Sequence, residues 1–408
     1  MTGKHFLSLF LLLGGLCLAA QEKPQPLSDS LYRSLAATPP MGWNSWNKFG
    51  CNVSEKLVKE MADAMAASGM ADAGYEYIVI DDCWQVDRDA DGNIVPDPER
   101  FPSGMKALAD YIHGLGLKFG LYSCAGSYTC QGRPGSKGHQ FQDALQYAKW
   151  GVDYLKYDWN PNDEWWMRDM KEALDATGRD IVYSISNSSR VTLGPALLKY
   201  AQCWRTTGDI RDTWASLSSI GFEGQDRWAG FTGPGHWPDA DMLVLGKVGW
   251  GRKMHWTQLT PWEQYTHITL WSILASPMLL GCDMEMLDPF TLSLLCNSEV
   301  LDVNQDPLGV KGVVFTKGED HVIYIKPLED GSLAVAMFNL GDAEKVIGFT
   351  PHKLGLYGEQ TVRDLWRQQD VGKVSFKERW EASVPPHGCA FYRLTPGVTG
   401  EKLEGLFR

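Results

Sequence analysis

Two short stretches carry residues suited to nucleophilic and acid–base chemistry: Tyr154-Leu-Lys-Tyr-Asp158 and Trp204-Arg-Thr-Thr-Gly-Asp209. Each starts as an apolar or aromatic run and ends on an aspartate near a fixed cation, Lys156 in one and Arg205 in the other. Lys156 stands two residues before Asp158, on the same strand face, where its charge favours the ionised carboxylate. Two carboxylates at strand ends suit a pair that must hold different protonation states across one bond. Retaining glycoside hydrolysis needs that arrangement, with the carboxyl groups about 5–5.5 Å apart. The plainer reading of either aspartate alone is an ordinary ion pair with its neighbour.

The elements that would position these residues alternate between about residues 39 and 301. Ser54 caps a helix in which Leu57, Met61 and Met65 recur every four residues, and Gly69 ends it. Residues 77–80 read as a buried strand ending on Asp81-Asp82. A helix marked by Leu108, Ile112 and Leu115 follows, then a strand over 118–122. Helix-like 141–150, strand-like 152–157, the helical period of Trp166, Met170 and Leu174, and strand-like 181–185 continue the series. Strand–helix repetition on this scale predicts a parallel sheet closed as a (β/α)8 TIM barrel, assigned to 39–305. An open doubly wound sheet is disfavoured, because no glycine-rich phosphate loop follows the first strand. Polar residues fall at the strand ends, as a barrel site requires: Asp81, Asp82, Tyr122, Lys156, Asp158, Asn187, Arg205 and Asp209. Beyond 310 the style changes to strand runs at 321–326, 333–339, 362–366 and 390–394, with a hairpin turn at Asp330-Gly331. This predicts an antiparallel β-sandwich domain over 310–395.

Composition narrows the class. A chain of 408 residues with 44% hydrophobic and 22% charged residues is an ordinary globular protein, long enough for two domains. A net charge of -12 argues against nucleic acid as a partner. Seventeen tryptophans offer faces for sugar rings, although core packing is the simpler role for any one of them. Residues 1–20 read as an export signal: Lys4, an apolar stretch over 6–18, and Ala19-Ala20 before the cleavage point, with 21–38 as a linker. The apolar stretch is too short to span a bilayer, and no later run reaches the ~18 apolar residues that a span needs. Export to the periplasm or beyond is the expected destination, and Leu16 disfavours lipid anchoring at Cys17. The remaining cysteines sit in an oxidising compartment, and their spacing is not that of a zinc site.

Six motifs in order carry a family resemblance: MGWNSWNKFGC at 41–51, IDDCW at 80–84, YLKYD at 154–158, WRTTGDIRDTW at 204–214, GHWPDADML at 235–243 and NQDPLG at 304–309. Together they resemble glycoside hydrolase family 27, the α-galactosidase and α-N-acetylgalactosaminidase family of retaining hydrolases. The resemblance implies release of terminal α-linked galactose from oligo- or polysaccharides, with Asp158 as nucleophile and Asp209 as general acid/base. It places Asp81 and Asp82 on the sugar's 4- and 6-hydroxyls, and Trp46, Tyr122, Lys156, Arg205 and Asp241 in the pocket wall. Asp239 stands two residues before Asp241, and one of the two is expected to be structural. It implies a Cys51–Cys83 disulfide and needs neither cofactor nor metal.

Two departures matter. The family carries Cys-Glu-Trp after the fifth strand, and here Tyr183-Ser-Ile-Ser-Asn187 stands instead, with Asn187 at about the Glu position or one residue off. That keeps α-N-acetylgalactosaminidase and β-L-arabinopyranosidase as alternatives. Asn160 replaces a family cysteine two positions beyond the nucleophile, leaving Cys130 to pair with Cys124 as one expectation. A non-catalytic carbohydrate-binding protein is the rival of another class, and a transglycosylase would use the same residues. Neither the oligomeric state nor the natural linkage is legible.

Overall fold

Strict alternation within short apolar runs decides where their side chains go. In the computed structural model, which describes residues 35–158 and 163–397, eight such runs form one parallel sheet. They are β1 (Met41–Asn44), β2 (Tyr77–Ile80), β3 (Lys118–Cys124), β4 (Tyr154–Asp158), β5 (Val182–Ile185), β6 (Cys203–Arg205), β7 (Trp237–Asp239) and β8 (Met278–Leu280). The order is β8-β1-β2-β3-β4-β5-β6-β7. Leu243, just past β7, bridges Leu280 in parallel and closes the seam, its N–H donating to the Leu279 carbonyl at 2.8 Å. The expected barrel is therefore present. The expectations for the export signal, Cys17, residues 21–34 of the linker and Asn160 lie outside the described residues.

Alternate strand residues divide between two cores. Tyr77 and Val79, Tyr154, Val182, Cys203, Trp237 and Leu279 fill the barrel interior. Their neighbours Ile78, Ile80, Leu155, Tyr157, Tyr183, Ile185 and Trp204 join the larger outer cluster. Helices α1 (Glu55–Ala67), α2 (Gly104–Gly114), α3 (Gln140–Trp150), α4 (Glu164–Ala176), α5 (Gly194–Tyr200), α6 (Trp214–Phe222) and α7 (Pro261–Ile273) supply its other half. Ser54 does cap α1, accepting from the Leu57 N–H at 3.3 Å, and Val58, Met61 and Met65 form its buried stripe. Gly120 faces the crowded interior, where a Cβ would meet Val79 Cγ2 at 2.8 Å and Tyr154 Cβ at 3.1 Å.

After α8 (Pro289–Leu295) and α9 (Ser298–Asn304) the chain turns all-β. Strands β9 (Val313–Lys317), β10 (His321–Pro327), β11 (Leu333–Asn339), β13 (Gln360–Asp364), β14 (Gln369–Val374) and β16 (Cys389–Pro396) make one antiparallel sheet, ordered β9-β10-β11-β16-β13-β14. Strands β12 (Lys345–Phe349) and β15 (Trp380–Val384) make the facing pair. Ile323, Val335 and Met337 pack against Ile347, Phe349 and Val384 between them. The hairpin joining β10 to β11 turns at the expected Asp330-Gly331, with Gly331 at φ +83°. The other face of the large sheet, through Val322, Tyr324, Ala336 and Phe338, joins the barrel core. Helix α7 lies between the two bodies, started by a full capping box of Thr260 and Glu263 and buried along nearly its whole length from Glu263 onward. Two lysines are buried in this half of the molecule. Lys311 donates to the Leu274 carbonyl at 3.2 Å and Lys326 to the Val303 carbonyl.

Candidate active site

The same alternation that fills the barrel interior carries polar side chains to its carboxyl end. Position 81 continues the inward series 77 and 79, positions 156 and 158 continue 154, position 205 continues 203, and positions 239 and 241 continue 237. There the fold encloses a cavity of about 850 Å³, lined by Trp46, Asp158, Asn187, Arg205, Asp209 and Trp250 among others. A recess of about 70 Å³ shares Trp46, Asp158, Arg205, Asp209 and Trp250 with it, and adds Asp81, Tyr122, Lys156 and Asp241.

Hydrogen bonds fix this recess. Asp81 Oδ2 accepts from Lys156 Nζ at 2.7 Å and from Asn44 Nδ2 at 2.8 Å. Burial works against the charge of Lys156, but Asp81 and Asp158 outweigh it and hold the ammonium protonated. Tyr122 Oη donates to Asp158 Oδ2 at 3.0 Å, and burial together with the charge of Asp158 pushes the phenol far up, so it stays a donor. Arg205 reaches Asp241 at 2.8 Å and Asp209 at 3.2 Å. Asp241 Oδ2 also accepts the Ile210 N–H at 2.7 Å, which ties the Asp209 loop to the segment beyond β7. Asp241 holds φ at +93°, a strained value for a non-glycine residue, and its N–H donates to Asp239 Oδ1 at 2.8 Å. The side chain of Asp209 is 74% exposed, so it is free to meet a leaving group while Arg205 touches its other side. Partial desolvation by the surrounding cavity wall opposes ionisation of Asp209 even though its side chain is open to solvent, but the charges of Arg205 and Lys156 prevail and place its carboxyl below the ordinary range.

The candidate site residues named from the sequence lie at this end of the barrel, with two differences in depth. Asp82 lies behind the wall, its Oδ1 accepting from Cys83 N–H at 2.7 Å and Thr129 Oγ1 at 2.9 Å, and its Oδ2 from Gln131 N–H at 3.3 Å. It shapes the loop that presents Cys130, and Asp81 alone of the pair lines the recess. After β5, Ser186 reaches the recess, whereas Asn187 lines only the wider cavity, a shift of one residue outward. The expectation of a Cys124–Cys130 disulfide is not met. The disulfide seen among the described residues is Cys51–Cys83, and the Cys124 thiol donates to the Tyr128 carbonyl at 3.3 Å, a contact set by the loop's own turn. Of the tryptophans, Trp43, Trp84, Trp204, Trp237 and Trp271 are fully buried, and Trp46 and Trp250 line the cavity.

Sequence reasoning missed Trp250, Ser186 and Arg211. Trp250, at φ +52°, sits between two glycines and is pinned by its N–H to the Asn47 carbonyl at 2.8 Å. The Gly-Trp-Gly run was the available signal. Among the described residues no group of three or more His, Cys, Asp or Glu side chains is arranged to hold a metal ion, and no helix is long and apolar enough to cross a membrane.

Comparison with known proteins agrees with this geometry. A family model of α-galactosidase A matches residues 38–306, and one of the α-galactosidase C-terminal β-sandwich domain matches 318–394. The chain is 42% identical to α-galactosidase 2 of Arabidopsis thaliana over 88% of this chain and 90% of that one. It is 36% identical to an α-N-acetylgalactosaminidase of Gallus gallus over 90% of this chain and 95% of that one. Among solved structures, a β-L-arabinopyranosidase from Geobacillus stearothermophilus superposes with a TM-score of 0.85 at 32% identity, covering 92% of this chain and all of that one.

Proposed function

The chain belongs to the α-galactosidase family, and from that premise we propose that it hydrolyses terminal α-linked galactosides with retention of configuration through Asp158 and Asp209. The observation that carries the assignment is the placement of both carboxylates on one cavity, each held by a different donor: Asp158 by Tyr122 and Asp209 by Arg205.

The ionised Asp158 attacks the anomeric carbon as Asp209 gives its proton to the departing glycosidic oxygen. A galactosyl ester on Asp158 results. Asp209, now a carboxylate, takes a proton from water, which attacks the same carbon and frees Asp158. The two inversions give net retention. Tyr122 steadies the nucleophile's charge, and the Lys156–Asp81 pair presents a donor and an acceptor to the sugar's hydroxyls. A pocket built on such pairs rejects a sugar that misplaces a hydroxyl, because its buried polar groups would then go unpaired. Asp82 supports this wall from behind. Residues 39–305 carry the reaction, and 310–395 act as a structural cap packed on α7. Export through residues 1–20 delivers the enzyme to saccharides outside the cytoplasm.

A second reading has a specific observation behind it. Ser186 and Asn187 are small uncharged residues at the cavity wall, and a 2-acetamido group needs such room. Turnover of p-nitrophenyl α-galactoside beside its 2-acetamido counterpart and p-nitrophenyl β-L-arabinopyranoside separates the readings. Preference for the first supports α-galactosidase. Preference for another reassigns the substrate, and binding without turnover of any reduces the chain to a sugar-binding protein. Asp158→Ala should lower kcat on the preferred substrate by about 10⁴-fold or more while the far-UV spectrum is unchanged.

A further inference from the structure

The outer part of the cavity has a charge opposite to that of the molecule. The chain carries a net charge of -12, yet the wide cavity presents Arg205, Arg211, Arg252 and Lys253 against only two carboxylates, Asp158 and Asp209. Arg205 is committed to Asp241 and Asp209. Arg211, Arg252 and Lys253 make no ion pair with any carboxylate among the described residues, and none of the three lines the inner recess. They stand where the leaving group must lie once galactose fills that recess.

Arg211 and the backbone that carries the other two cations are held in place, and the Arg252 and Lys253 side chains themselves are exposed. The Arg211 guanidinium sits 4.6 Å from the centre of the Trp250 ring. The loop that carries Trp250, Arg252 and Lys253 is tied down by backbone bonds: Gly249 and Trp250 N–H to the Asn47 carbonyl at 2.9 and 2.8 Å, Gly251 N–H to Lys48 O at 2.8 Å, and Arg252 N–H to Gly249 O at 3.0 Å. Asn52 Nδ2 adds a bond to the Gly251 carbonyl at 2.9 Å. His255, on the same wall, is already engaged by Asp212 at 3.1 Å and is not counted with them. Three like charges gathered on one wall with no carboxylate partner favour an anion beside them.

We propose that this chain's preferred substrates are α-galactosides whose aglycone is itself anionic, a saccharide unit bearing a carboxylate or a sulfate ester bound by Arg211, Arg252 and Lys253. The inference rests on the hydrolase reading above and extends it to the leaving-group side. Its test compares galactose α-linked to glucuronic acid with galactose in the same linkage to glucose, and a sulfated glucose in a third arm. Measurements are made at about 0.01 M and about 1 M salt, where the Debye length is roughly 30 and 3 Å. At low salt kcat/KM should favour an anionic substrate by about tenfold or more. The ratio should fall towards one at high salt and in an Arg252→Gln/Lys253→Gln variant. Whether the uronate or the sulfate ester is preferred names the source. A ratio at or below one at low salt, or a preference that survives R252Q/K253Q, overturns the proposal. Turnover of p-nitrophenyl α-galactoside in the same preparations keeps the hydrolase reading separate: activity there with no anion preference refutes this inference alone, and inactivity there refutes both.

Discussion

Lys156 Nζ lies 2.7 Å from Asp81 Oδ2, across the barrel from the strand it shares with Asp158. The spacing in the sequence points to Lys156 as the partner of the nucleophile. In the structure Lys156 Nζ bonds Asp81, and Tyr122 Oη donates to Asp158 Oδ2 at 3.0 Å. Arg205 is nearer to Asp241, at 2.8 Å, than to Asp209, at 3.2 Å.

Asp209 as proton donor predicts a dependence on the leaving group. Asp209→Asn should lose at least about 10²-fold more kcat/KM on a galactosyl disaccharide than on p-nitrophenyl α-galactoside, because nitrophenolate leaves without a proton. Equal losses on the two substrates would assign Asp209 a structural role.

The same residue predicts the shape of the pH profile. Asp209 must be protonated at the first step, and in the free enzyme burial is outweighed by Arg205 and Lys156, which hold its carboxyl low. Since kcat/KM reports the free enzyme, it should decline as pH rises and be greatest on the acid side of neutrality. Arg211 adds to the same pull. Arg211→Gln should therefore move the basic limb to higher pH, read from kcat/KM on an uncharged substrate. A limb that does not move would detach Arg211 from the field at Asp209.

Stability should respond to pH through the buried lysines. Burial pushes Lys311 down to about 7 and Lys326 to about 8, with the nearby Lys326 charge adding to the effect at Lys311 and Asp226, Asp239 and Asp306 opposing it. A lysine whose folded pKa lies below its unfolded value binds more protons unfolded, so stability rises with pH from about 7 towards 10. Lys311→Met should have a higher Tm than the parent at pH 6.5, with the gap narrowing by pH 8.5. A gap that is constant or widens would contradict the buried, discharged lysine.

Much of this arrangement is legible in the sequence because a barrel strand writes its own inside and outside. Tyr77, Val79 and Asp81, or Tyr154, Lys156 and Asp158, alternate with residues that pack on helices, and the polar member falls at the strand end. Strands β7 and β8 were harder to read, being three residues each and set among buried loops with no contrasting face. In the second domain β10 and β11 are continuous apolar runs buried on both faces, whereas β14 is an edge strand exposed over all but its last residue, so it lacks a buried stripe to betray it. The site residues missed share one cause. Trp250, Ser186 and Arg211 sit on loops, where position comes from backbone bonds such as those to Asn47 and leaves no periodic trace. Asp81 and Asp82 differ in depth because adjacent residues at a strand end point to opposite sides, and two equal carboxylates do not say which one faces inward.

The central claim is that Asp158 attacks the anomeric carbon while Asp209 protonates the leaving oxygen and then takes a proton from the water that frees the sugar. Proton NMR of the galactose released in the first minutes of turnover, before mutarotation, tests it most directly. The α-anomer should appear first and the β-anomer only later. Initial release of the β-anomer would mean a single inversion, and would contradict Asp158 as a nucleophile that forms a covalent intermediate.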